Sequence, residues 1–161
     1  MLRFLGVVDK RVTALFGVGF PTEVSFSFIK YSNWCYTYLE RKLNHRTFKT
    51  RKFSQMADSA RISDEMLCRV IQSLNVGLAV DLGGGVYKKR LNNNQHRAIV
   101  LAKVGAPKIY QYLYAKNALS NIAADDLKAL KELAKFYQSL TKPQIDQLVV
   151  ENHFFEICHD Q

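Results

Sequence analysis

Residues 82–116 read LGGGVYKKRLNNNQHRAIVLAKVGAPKIYQYLYAK. Within them, Val86 to Leu91, Arg97 to Val104 and Lys108 to Ala115 are short runs of strand-forming residues separated by the turn formers NNNQ and VGAP. Connections this short predict an antiparallel meander, because parallel neighbours need a crossover of about a dozen residues or more. Alternation along a strand puts Lys88 and Arg90 on one face and Tyr87, Lys89 and Leu91 on the other. It also puts Tyr110, Tyr112 and Tyr114 on a single face of the third strand, where aromatic rings either pack a helix or stack on bases. Gly83 to Gly85 open into a strand and not a helix, and no G-x-x-x-x-G-K-[ST] is present, so they do not form a nucleotide-binding phosphate loop. They are either a tight turn or a flexible entry that lets backbone or substrate come close.

Helices flank the meander on both sides in sequence. Upstream, Arg46 to Thr50 suits a short strand and Phe53 to Ser59 a short helix. Ser63 then caps a helix whose Met66, Leu67, Val70, Ile71 and Leu74 recur at helical spacing, with Asp64 and Glu65 at its positive end and Asn75 and Gly77 at its close. Downstream, Leu127, Leu130, Leu133, Ala134 and Tyr137 make one stripe of a helix from about Asp125 to Leu140, with alanine at its cap position. Thr141 opens T-K-P-Q, a capping-box pattern for a short helix to about Val150, and His153 to Cys158 suits a last strand. The expected fold is α+β, with N-terminal helices packed on a small twisted antiparallel sheet and further helices towards the C-terminus.

The chain has 161 residues, 48% of them hydrophobic, and a formal net charge of +9, which fits one globular domain with an anionic partner. Seven cations and one acid lie between Asp81 and Lys116, a net +6, so most of the excess charge sits on the meander. A solvated surface accounts for such charge as readily as an anion site does, but arginine is suited to bidentate phosphate contact. Cys35, Cys68 and Cys158 are odd in number and far apart, which writes neither a disulfide framework nor a metal site and fits a reducing cytoplasm. No uninterrupted apolar run approaches the ~18 residues of a membrane span. The scattered histidines give no zinc spacing, and no hydrolase motif is present. His96, at a strand start, is the one candidate for acid–base work.

The stretches FKTRKFSQMADSARISDEMLC, DLGGGVYKKRL, HRAIVLAK, YLYAKNALSNI and DDLKALKELAK together resemble the RelE/ParE superfamily of type II toxin–antitoxin toxins, in its RelE-like branch. The resemblance covers residues from about 43 to about 158. It implies a cytoplasmic, metal-independent endoribonuclease that cuts mRNA on the ribosome, with no cofactor and no membrane. It also implies a cognate antitoxin, a helix-turn-helix protein encoded by the adjacent gene.

By this resemblance Lys88 and Arg90 match the K-x-R pair of the second strand, Arg97 the arginine opening the next, and Lys116 the basic residue closing the strand after it. These four are the expected catalytic set, with Lys89, His96, Tyr112 and Asn117 adding RNA contacts. Some nuclease members carry a late tyrosine or histidine for proton transfer, and here none follows Lys116 before Tyr137. Other superfamily members bind DNA gyrase, and a non-catalytic RNA-binding module is a third reading. Residues 1–42 have no counterpart in the resemblance and are expected to be an extension, or upstream sequence preceding a start near Leu43; the toxin domain is then residues 43–161.

Overall fold

The computed structural model describes residues 46–72, 74, 79–103, 106–118 and 122–158. The expected extension over residues 1–42 and the helix end at Asn75 and Gly77 lie outside the described residues. In chain order the elements are β1 (Thr47–Thr50), α1 (Arg51–Ser59), α2 (Asp64–Gln72), β2 (Val80–Asp81), β3 (Val86–Leu91), β4 (His96–Leu101), β5 (Lys108–Ala115), α3 (Ala124–Ser139), α4 (Lys142–Val150) and β6 (Phe154–Ile157).

The strands form one six-stranded sheet in the order β2-β3-β4-β5-β1-β6. The meander β3-β4-β5 is antiparallel throughout, as its short connections dictate. The sheet as a whole is mixed, because β1 runs parallel to β5, with Thr47 beside Lys108 and Lys49 beside Tyr110. This corrects the expectation of a purely antiparallel sheet: the chain between β1 and β5 is long enough to make the parallel return.

Helices cover both faces. Phe53, Ala57, Leu67 and Ile71 of α1 and α2 pack against Leu91, Ala98, Val100 and Tyr110 on one face. Leu130, Leu133, Ala134 and Tyr137 of α3, with Ile145 and Leu148 of α4, pack against Phe48, Val86, Ile99, Leu101 and Ile109 on the other.

Local signals act where the sequence places them. Thr50 caps α1 by accepting a bond from Phe53 N at 3.2 Å, which starts that helix two residues earlier than its apolar pattern suggests. Ala123 supplies no side-chain cap to α3, whereas the Thr141–Gln144 capping box of α4 is complete. Arg46 forks onto Glu156 with two bonds of 2.7 Å and reaches Asp146 at 2.7 Å, tying the start of β1 to β6 and α4. The hydrogen bond from Lys142, together with Arg46, holds the Asp146 carboxyl below its ordinary pKa.

Cys68 and Cys158 are joined by a disulfide across 90 residues of sequence. This corrects the reading of the cysteines as unpaired and removes their support for a reducing compartment; the spacing gave no sign of the bond, because α2 and the end of β6 meet only in the folded chain. In the chain-entropy account, closing a loop of this size stabilises by about 4.6 kcal/mol.

The three glycines form a tight turn. Gly83, Gly84 and Gly85 have φ of +79°, +65° and +81°, and they join β2 to β3 with Leu82 N bonded to Val86 O at 2.9 Å. They lie close to α3 and to the end of β4: a Cβ on Gly84 would meet the Lys131 stem at 2.8 Å, and one on Gly85 would meet Ala102 O at 2.9 Å. The asparagines of the next turn, Asn92 to Asn94, also adopt positive φ, which asparagine tolerates better than most residues. Gly85→Ala is expected to lower unfolding stability by about 2 kcal/mol, since it combines left-handed strain with a backbone clash. Urea denaturation measures this, and an unchanged midpoint contradicts the tight packing of the turn.

Candidate functional site

The strand register decides which cations meet. Val86 and Ile99 belong to the cluster under α3 and α4, whereas Leu91, Ala98 and Val100 belong to the cluster under α1 and α2. By alternation, Lys88 and Arg90 of β3 and Arg97 of β4 share the α3 side of the sheet. Arg90 stands directly opposite Arg97, and Arg97 stands directly opposite Tyr114. In the next row Lys88 faces Ile99, and Ile99 faces Tyr112. Directly opposed residues have Cβ atoms about 5 Å apart, so two guanidinium stems and a phenol line up across three strands.

Arg90 is exposed, while Lys88 and Arg97 are half-buried. Arg97 is held in place by its own turn, with Nη1 donating to Asn94 O at 3.1 Å and His96 O at 3.0 Å. A guanidinium has five N–H donors, so this anchoring leaves others for an anion. Like charges directly opposite one another destabilise a sheet, and an anion between them removes that cost.

The remaining expected site residues divide. Lys116 and Asn117 are exposed in the turn after β5, and Lys116 N bonds Gln95 O at 2.8 Å, which brings that turn against the β3–β4 turn. Together with Asn93, Asn94, Gln95 and His96 they line an open depression of about 660 Å³ at that end of the sheet. By alternation His96 itself falls on the face opposite Arg97, with Nδ1 3.5 Å from Asn92 Nδ2. Lys89 stands apart: it is only 6% exposed and lies on the α1–α2 side, the face opposite Lys88 and Arg90. Burial pulls its ammonium pKa below the ordinary value.

The three tyrosines do not share a face. The register skips between Ile99 and Val100, pairing them with Tyr112 and Tyr110, so a bulge at Gln111 breaks the period of two. Tyr110 therefore turns under α2 and donates to Leu67 O at 2.8 Å, and burial drives its pKa upward. Tyr112 and Tyr114 remain on the cationic side, their rings 6.3 Å apart. Burial raises the pKa of Tyr112, and the nearby Asp126 carboxylate adds to the effect. Burial also raises that of Tyr114, while the positive charge of Arg97 pulls it back.

Sequence reasoning missed Lys52, whose ammonium sits 5.5 Å over the Tyr112 ring. Only the parallel pairing of β1 with β5 brings the first turn of α1 there, and no local signal announces it.

A small α+β protein whose antiparallel meander carries a cationic row is the class that fold and site define. Residues 45–157 match the family model described as the RelE toxin of the RelE / RelB toxin-antitoxin system. The chain belongs to that family of toxins. No curated protein matches the chain. Among the described residues, no helix is long and apolar enough to cross a membrane.

The placement of the cations is testable with any polyanion. Arg90→Gln and Arg97→Gln should each weaken heparin binding and reduce the slope of log affinity against log salt by about one. Lys89→Met should leave both unchanged, and an equal loss from Lys89→Met contradicts the division of faces.

Proposed function

We propose that the chain is an endoribonuclease toxin that cuts mRNA on the ribosome and is silenced by a cognate antitoxin, in the cytoplasm. The observation that carries the reading is the Arg90–Arg97 pair, two guanidinium groups directly opposed on one face with Lys88 beside them. Family membership adds the toxin–antitoxin setting.

The chemistry follows from charge. A ribose 2′-oxygen attacks the adjacent phosphorus, and negative charge builds on the phosphoryl oxygens as the pentacoordinate state forms. Cations already fixed in place stabilise that state more than the ground state, because they need no reorganisation when the charge appears. Arg97, anchored through its turn carbonyls, acts as the principal clamp, and Arg90 and Lys88 orient the phosphate from the neighbouring strand. Lys116, at the end of the same sheet, holds the flanking phosphate, and Asn117 beside it contacts the nucleotide.

Arg97→Ala should lower mRNA cleavage by about 10²–10³-fold, the usual cost of losing one transition-state donor. Primer extension on transcripts after induction reads this out, with circular dichroism confirming the fold. Full cleavage by a folded Arg97→Ala protein overturns the assignment. Growth arrest by the wild type without new mRNA ends favours a toxin that acts by binding a protein such as gyrase.

A further inference from the structure

The cationic row accounts for the phosphate but not for the leaving group. When the P–O5′ bond breaks, the departing alkoxide needs a proton; arginines cannot supply one at neutral pH because they do not deprotonate in proteins, and Lys88, whose ammonium could, stands one row from the Arg90–Arg97 pair, opposite Ile99. His96 falls on the opposite face, and Lys89 is buried there.

Tyr114 is placed differently. It is the next member of the Arg90–Arg97 row, directly opposite Arg97 on β5. Its ring is 7% exposed and sits beside that of Tyr112, and its hydroxyl makes no hydrogen bond among the described residues. The ring belongs to the core under α3 and α4, while the hydroxyl is not engaged with another group of the fold.

We infer that Tyr114 is the proton donor to the departing 5′-oxygen. This rests on the endoribonuclease reading. The 2′-oxygen forms a bond to phosphorus and releases its proton to solvent water, the P–O5′ bond breaks, and the Tyr114 O–H proton passes to O5′. The products are a 2′,3′-cyclic phosphate and a 5′-hydroxyl, and the tyrosinate regains its proton from solvent.

The environment suits both halves of this cycle. A phenol is protonated at neutral pH and burial raises its pKa further, so the proton is available before reaction. The Arg97 guanidinium opposite then stabilises the phenolate formed as the proton leaves. Tyr112, one row away, has the Asp126 carboxylate near it, and the cation it meets, Lys52, lies over its ring and not opposite it in the sheet, where its partner is Ile99.

The test compares wild type with Tyr114→Phe on two versions of one mRNA, each presented on ribosomes, one ordinary and one with sulfur replacing the bridging 5′-oxygen at the cleavage position. A thiolate leaves without protonation. Tyr114→Phe should cleave the ordinary mRNA about 10²-fold more slowly than wild type and the sulfur-bridged one at the wild-type rate. Equal cleavage of the ordinary mRNA by both proteins overturns the assignment. An equal loss on both substrates also overturns it, since the residue then only positions the phosphate. Wild type that cleaves neither substrate removes the endoribonuclease reading and this assignment with it, a result distinct from the other two.

Discussion

Arg90 and Arg97 face each other across β3 and β4, an arrangement that a free protein tolerates only at a cost. The register that enforces it is not adjustable. Slipping β4 by one residue would move Ala98 and Val100 out from under α1 and α2 and Ile99 and Leu101 out from under α3 and α4. Burial on both faces therefore holds two guanidinium groups together that would otherwise separate. The same burial fixes Tyr114 opposite Arg97, because Ala98 pairs with Leu113 in the next position.

Each turn contributes to this rigidity. The glycine turn lets α3 lie close over the start of β3, so the helix covers the apolar end of that strand while Arg90 near the far end stays exposed. The asparagine turn presents the Asn94 carbonyl to Arg97, and the His96 carbonyl accepts a second bond from the same nitrogen. At the opposite side of the sheet, Arg46 binds Glu156 and Asp146, and the Cys68–Cys158 bond joins α2 to the end of β6. The cationic row thus sits in a framework secured at both edges, as preorganised electrostatic stabilisation of a phosphoryl group requires.

Much of this was legible in the residues. The bounds of β3 and β5, the stripe of α3 and the capping box of α4 follow from period, turn formers and cap chemistry. So does the grouping of Lys88 with Arg90. Period separates Lys89 from Lys88 and Arg90 but does not say which helices cover each face, so the burial of Lys89 under α1 and α2 is not legible in the sequence. Period also fails at a bulge, and Gln111 separates Tyr110 from Tyr112 without any sequence mark. The two-residue strand β2, the parallel pairing of β1, the approach of Lys52 to Tyr112 and the disulfide all depend on contacts between distant parts of the chain. Local patterns carry no information about such contacts.

The central claim is that Arg90 and Arg97 act on one phosphodiester. Titrating the protein with a short RNA that carries a 2′-deoxy nucleotide at the cleavage position, while following the Nε–H resonances of individual arginines by NMR, tests it directly. Both resonances should shift together along one binding curve. Movement of only one, or of neither while the RNA binds elsewhere, contradicts the account.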